Sequence, residues 1–357
     1  MRALRICLIA SSRFPVREPF AGGLEAHTHS LATALARRGH EVTLFAAPGT
    51  DPALDARELT IEPFEFSAAA RSDVAAPPEH WMQEHHAYLG LMLELSRTAG
   101  ERFDLVHNNS LHHLPVAMSE TLPVPLLTTL HTPPTPWLES AMRLTPSARF
   151  IAVSRFTADQ WQASTDAEVI LNGVDTTRWR LGPGGEGAIW SGRLVAEKGP
   201  HLAVEAARVA GMPLDLAGPI YDHDYFDRLI APRLDDRIRY LGHLGTSELA
   251  ERVGRASVAV VTPQWEEPYG LVAAEAMACG TPVAAFSRGA LPEIVTPESG
   301  RLARPGDPDS LAEAMLAASR LPRAGVRRHA ELHCSLDAMV RGYEAQYEAA
   351  VEPARAA

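Results

Sequence analysis

The sequence predicts an α/β protein of two doubly wound units that face each other across a cleft. Three observations carry this. Short apolar runs alternate with helix-period stretches along most of the chain, the pattern of a parallel sheet covered on both faces. The alternation is interrupted at 172–187 by NGVDTTRWRLGPGGEG, a glycine-rich stretch suited to a linker, and then resumes. The chain has 357 residues, room for two units at ~150 residues each.

In the first unit, residues 4–10 (LRICLIA) form a first strand. Gly22-Gly23 then opens a helix at 24–38, with Leu24, Leu31 and Leu35 on one face and Gly39 at its end. A strand follows at 42–46. Residues 50–78 read as loops plus a minor strand, and a long helix spans about 79–99. Further strands fall at 103–107, 124–130 and 150–153, and Ser154 starts a helix. In the second unit, the strands are 188–191, 213–217, 238–241, 257–261 and 282–286. Helices lie at 199–210, 246–255 and 270–279. Asp307-Pro308 caps a further helix, and the last begins near Ser335 with Leu336, Met339, Val340, Tyr343 and Tyr347 as its apolar stripe. Units of this kind bind ligands at the carboxyl ends of their strands.

Composition narrows the function. Lys+Arg is 33 and Asp+Glu is 44, a net charge of −11 that does not draw nucleic acid or anionic lipid by bulk electrostatics. No run approaches the ~20 apolar residues of a membrane span, and no basic amphipathic helix stands out. The start, MRALRICLIASSRFP, reads as a buried strand rather than a signal peptide. Cys7, Cys279 and Cys334 are odd in number, widely spaced and without a CxxC pair. That pattern fits a reducing cytoplasm. Oligomeric state has no signature in the sequence.

Several motifs admit two readings. Gly182, Gly184 and Gly187 spell GxGxxG but precede a strand, where a dinucleotide fingerprint must follow one; linker is the better reading. Asp222-His223-Asp224 is either a cation-holding pair or the acidic start of a helix. His85-His86 and His112-His113 are adjacent pairs whose members face different ways. Gly22-Gly23 is either an anion cradle at a helix N-terminus or a tight turn. Arg193 and Lys198, after strand 188–191, are diphosphate ligands or solvated charges. The most specific segment is QWEEPYGLVAAEAMACGTPV. Glu267 stands at a strand's carboxyl end, Gly270, Leu271 and Val272 offer free N–H groups, and Glu275 lies one turn into the helix.

Glu267-x7-Glu275, with Glu-Pro-Tyr-Gly-Leu between, resembles the signature of the family-4 retaining glycosyltransferases, which have the GT-B fold of two Rossmann-like domains. The resemblance continues through AGGLEAHTHSLATALARRGHEVTLF (21–45), TLHTPP (129–134), AVSRFTADQW (152–161), LNGVD (171–175), GRLVAEKGPHLAVEAA (192–207), YLGHL (240–244) and EAMACGTPVAAF (275–286). Tyr269 departs from the more usual phenylalanine, with no functional change expected.

The resemblance implies transfer of a hexose, with retention, from a nucleotide-diphosphate sugar, UDP-linked by preference, to an acceptor hydroxyl. It implies no metal and no further cofactor, and domains at 1–167 and 168–334 with the helix over 335–352 packing back on the first. Arg193 and Lys198 would neutralise the leaving diphosphate, with backbone help from Gly22, Gly23 and Gly270–Val272. Glu275 would take the ribose hydroxyls, Leu244 the base and Glu267 the sugar, with Tyr269 beside it. His131 would sit near the sugar and the attacking hydroxyl. Asn108, Asn109 and His112 are candidate acceptor contacts, with loop packing as the equal alternative. Two other activities fit the same features: a nucleotide-sugar epimerase or hydrolase of this fold, and a noncatalytic sugar-nucleotide-binding protein.

Overall fold

A computed structural model describes residues 2–60 and 65–356; of the predicted loop region 50–78, residues 61–64 lie outside the described residues. Strand β1 (Arg5–Ile9) is a run whose Ile6, Cys7, Leu8 and Ile9 are fully buried, as in a sheet covered on both faces. It is central in an all-parallel sheet with β2 (Glu41–Ala46), β3 (Arg57–Glu58), β4 (Leu105–Asn108), β5 (Leu126–Leu130), β6 (Arg149–Ala152) and β7 (Glu168–Val169), in the order β3-β2-β1-β4-β5-β6-β7. The second sheet comprises β8 (Ala188–Ser191), β9 (Leu214–Ala217), β10 (Ile238–Tyr240), β11 (Val258–Val261), β12 (Val283–Phe286) and β13 (Gly300–Ala303), ordered β10-β9-β8-β11-β12-β13. Strand order reverses between β1 and β4 and between β8 and β11, which opens a crevice at the carboxyl ends of both pairs. The doubly wound prediction therefore holds for both units.

The predicted domain boundary at 167/168 falls inside the first sheet, because Glu168 and Val169 pair with Ile151 and Ala152 of β6. Two residues cannot display a strand period, so β7 has no sequence signature. Strand β13 and helices Pro136–Leu144 and Arg323–His333 also went unassigned. The first helix hides behind a proline-rich start. The last buries only Val326 and Ala330 and is otherwise polar.

The glycine-rich run is not a slack tether. A Cβ on Gly182 would meet the Gly254 carbonyl oxygen at 2.3 Å, and one on Gly185 the Arg255 carbonyl oxygen at 2.5 Å. Arg323 clamps the same junction by donating to the carbonyls of Gly182, Gly254, Ala256 and Cys279. The GxGxxG lookalike thus exists for close packing on helix Thr246–Arg255. The domains are instead joined by two segments paired side by side. Val174 N–H donates to Cys334 and Leu336 N–H to Val174. Gly173 is required there, since a Cβ would meet the Ser335 carbonyl oxygen at 2.5 Å.

Helix Leu336–Ala356 then returns to the first domain. Met339, Val340, Tyr343 and Tyr347 are buried against Leu31 and Leu35. Its polar lock is Glu344, 4% exposed, which accepts from Arg38 Nε and Nη2 at 2.7 Å each and lies 3.2 Å from His40 Nε2. Burial opposes ionisation of Glu344, but the Arg38 and His40 bonds outweigh it and hold the carboxyl below its ordinary range. No described helix is long and apolar enough to cross a membrane.

Glu344→Gln should therefore cost about 2 kcal/mol near neutral pH, because Arg38 loses a bidentate ionic partner. A lowered folded pKa contributes stability above the unfolded value of about 4.5 and loses it as pH falls further. Denaturant unfolding of both proteins should converge under acid conditions; equal stability at pH 7 would show that the pair holds nothing.

Candidate active site

The carboxyl ends of the two sheets face each other across a cleft with a cavity of about 390 Å³. The first domain lines it with Gly22, Gly23, Glu25 and His131, and the second with Arg193, Lys198, Leu244, Glu267, Leu271 and Glu275, among others. Every group predicted for the donor borders this one space. A separate depression of about 770 Å³ on the first domain shares Arg13 and Phe14 with the cleft.

Close backbone approach builds the second-domain wall. Gly192 and Gly218 follow β8 and β9 with φ of 151° and 141°, and a Cβ on Gly218 would overlap the Gly192 carbonyl oxygen. Gly199, at φ 65°, would bring a Cβ within 2.4 Å of the Thr262 carbonyl oxygen. Thr262 Oγ1 lies 2.9 Å from the Lys198 carbonyl oxygen, which ties the β8 loop to the end of β11. The loop carrying Glu267 is held the same way. Gly289 packs where a Cβ would meet Glu267 N at 2.3 Å, and Ala290 N–H donates to the Glu267 carbonyl at 2.8 Å.

On this wall Lys198 Nζ meets Glu267 Oε2 at 2.7 Å. Trp265 Nε1–H donates to the same oxygen at 3.1 Å, and the Lys198 ammonium lies 4.8 Å from the Trp265 ring centre. The sequence assigns Lys198 to phosphate and Glu267 to sugar as separate ligands; the structure couples them in one ion pair. Arg193 pairs with Glu197 at 2.9 Å and lies over the Tyr221 ring. Helix Leu271–Ala278 starts after Gly270 at φ 94°, with no side-chain cap. Its first N–H groups are left to the cleft. The Glu275 carboxyl makes no hydrogen bond to another described residue, and burial pushes its pKa up to about 8.

On the first-domain side, Gly22-Gly23 opens helix Gly23–Arg37 without a side-chain cap. Sequence reasoning missed Glu25. Its carboxyl is 5% exposed, folds back toward the Gly22 amide and faces Arg193, while burial raises its pKa. His131 Nε2 sits 2.6 Å from Asn109 Oδ1, and burial beside His27 and His107 holds the imidazole well below its ordinary range.

The acceptor candidates sit deeper than expected. Asn108 is fully buried; it donates to Thr128 Oγ1 and accepts from Ser110 Oγ at 2.7 Å. Asn109 is also fully buried and holds His131. His112 caps helix His113–Ala117 and stacks on Tyr88 at 4.2 Å. The loop at 108–112 is thus a supporting frame, because strand β4 carries its polar residues into the domain interior. Tyr269 borders the cleft, while its ring is 2% exposed and packed in the second-domain core. Asp222 resolves as a cap. Its Oδ1 accepts from Tyr225 N–H at 2.9 Å at the start of helix His223–Tyr225.

Glu275 supplies a pH test. Its pKa rises from 4.5 to about 8, so the native state keeps a proton that the unfolded chain releases. Stability then declines as pH rises from about 4.5 to about 8. Glu275→Gln keeps the shape without the charge. It should match the wild type near pH 4 and melt at a higher temperature at pH 8. A melting difference that is flat with pH would show that Glu275 is not the titrating group.

Comparison with known proteins agrees with this geometry. The profile of Glycosyltransferase Family 4 matches residues 21–178, and that of Glycosyl transferases group 1 matches 179–330. The chain is 29% identical to a glycogen synthase of Mycobacterium tuberculosis, over 91% of this chain and 88% of that protein. It is 27% identical to a D-inositol 3-phosphate glycosyltransferase of an Arthrobacter species, over 82% and 80%. Its fold matches AviGT4, a glycosyltransferase involved in avilamycin A biosynthesis, with a TM-score of 0.72 at 23% identity over 98% of each chain. It also matches Anabaena Alr3699/HepE in complex with UDP and glucose, with a TM-score of 0.74 at 18% identity over 97% and 100%. With two family profiles in tandem and two parallel sheets facing a common cleft, the chain belongs to the family-4 glycosyltransferases and has the GT-B fold.

Proposed function

We propose that the protein transfers a hexose from UDP-hexose to an acceptor hydroxyl with retention at the anomeric carbon and without a metal. The observation that carries this is the second-domain wall. One ion pair, one uncapped helix N-terminus and one unpartnered carboxyl line the same cleft, and this reading gives them the sugar, the phosphates and the ribose. The UDP and glucose held by the HepE structure of the same fold support the choice of donor.

Lys198, Arg193 and the amides of Gly270–Val272 bind the diphosphate. Glu275 accepts from the ribose hydroxyls and gains the partners it lacks. The Leu244 backbone meets the base. Glu267 faces the sugar, where positive charge grows as the bond from the anomeric carbon to the phosphate oxygen breaks. The acceptor oxygen bonds to that carbon on the same face, and its proton passes to the departing phosphate oxygen. Positioning and charge stabilisation supply the rate. Asp222 is occupied as a helix cap, which supports a diphosphate site built from cations and amides. The buried thiols of Cys7, Cys279 and Cys334 support a cytoplasmic setting.

Turnover of UDP-hexoses with an acceptor mixture, read by release of UDP and by product mass, tests the reading. UDP release that ignores acceptor points to a hydrolase; binding without release points to a noncatalytic protein. Turnover should survive EDTA. Glu275→Ala should weaken UDP and UDP-hexose alike, a loss of uniform binding. Glu267→Gln should leave UDP affinity nearly unchanged and lower kcat by about 10²-fold. Near-normal kcat in Glu267→Gln sinks the assignment.

The adjoining depression supports an acceptor with both polar and apolar faces. It joins the cleft at Arg13 and Phe14 and is walled by Trp81 and Glu84, the latter bonded to Arg13 at 3.0 Å. Trp81→Ala should raise the acceptor KM and spare donor affinity. An unchanged acceptor KM would place the acceptor elsewhere.

A further inference from the structure

Three hydrogen bonds decide which nitrogen of His131 carries its proton. Thr28 lies in helix Gly23–Arg37, and its hydroxyl donates to the Leu24 carbonyl one turn back at 2.8 Å. A hydroxyl has one proton, so toward Asn109 the Thr28 oxygen only accepts. It takes the Asn109 Nδ2 amide at 2.7 Å. That fixes the amide orientation and aims Oδ1 at His131 Nε2, 2.6 Å away. A carbonyl oxygen cannot donate, so Nε2 bears the hydrogen. The reversed amide would need the Thr28 proton for Asn109 Oδ1, and the Leu24 bond would be lost. Asn109 and Thr28 are buried at 0% and 1% exposure, so water does not make good that loss.

Nδ1 of His131 makes no hydrogen bond to another described residue, and the residue lines the cleft. The ring is kept neutral by its neighbours. His27 lies edge-on at 4.9 Å, fully buried and with neither nitrogen bonded. A second proton on His131 would face this dry wall with no counter-ion.

We propose that Asn109 and Thr28 are positioning residues that lock His131 as its Nε2–H tautomer. His131 then meets the transferred sugar as a hydrogen-bond acceptor through Nδ1 and does not serve as a proton donor. The acceptor role rests on the cleft being a nucleotide-sugar site; the lock itself does not. A sugar carrying a hydroxyl at the contacted position satisfies Nδ1, and a deoxy sugar leaves it unpaired, so the lock also contributes to donor choice.

The tautomer is read by two-bond 15N–1H NMR correlation on histidine-labelled full-length protein, with His131→Gln assigning the signals. The free wild type at neutral pH should show Nε2–H. Asn109→Asp should keep that tautomer, since a carboxylate also accepts from Nε2–H. Asn109→Leu should populate Nδ1–H and lower kcat about tenfold or more, with UDP affinity unchanged. Where Asn109→Leu fails to fold, Thr28→Val frees the amide to turn and should give mixed tautomers. An Nδ1–H or doubly protonated ring in the wild type overturns the lock. So does an unchanged Nε2–H signal with wild-type kcat in the folded Asn109→Leu or Thr28→Val protein. A wild type that shows Nε2–H but binds no UDP-hexose overturns the acceptor role and the functional reading, while the lock stands.

Discussion

The second-domain wall depends on backbone segments packed closer than any side chain permits. Gly192 against Gly218, Gly199 against Thr262 and Gly289 against Glu267 bring loops from β8, β9, β11 and β12 into one layer. Removing the Cβ lets chains meet at carbonyl distance, and the left-handed φ at several of these glycines turns them sharply enough to do so. Only this compression sets Lys198, on one loop, within 2.7 Å of Glu267 on another. A looser layer would leave both as ordinary solvated charges.

The ion pair sets the electrostatics of the second-domain wall. Glu267 Oε2 accepts from both Lys198 Nζ and Trp265 Nε1. Glu275 differs, because its carboxyl has no partner among the described residues and burial disfavours its charge. One carboxylate is paired with a cation; burial disfavours the charge of the other. Identical side chains are thereby set to different tasks by their surroundings.

Domain coupling is similarly specific. The Glu267 loop is gripped from the first domain, where Ser154 and Thr157 donate to the Pro268 carbonyl at 2.6 and 3.0 Å. The amides of Arg155 and Phe156, at a helix N-terminus, donate to the Glu293 carboxylate of the second domain. His243 reaches back to the Phe20 carbonyl at 3.1 Å. These contacts encircle the cleft, and the paired strands at Val174 and Ser335 close its base. Helix Leu336–Ala356 returns to the first domain and packs Tyr343 and Tyr347 behind His107, two hydrogen bonds from the sheet core.

The sequence by itself determined the elements with strong period and the residues of the donor wall. Buried parallel strands are continuous apolar runs, and Glu267, Gly270 and Glu275 share one strand–loop–helix unit whose local geometry is set by nearby residues. It left out what has little local period, as with two-residue β7 and the polar helix Arg323–His333. Tertiary structure alone decided the rest. It joined Lys198 to Glu267 across 69 residues, turned Asn109 inward onto His131 across 22, and pressed the glycine-rich run into the second domain. Each of those outcomes is a contact between distant segments. No local propensity encodes such contacts, because packing assigns partners only after both sheets exist.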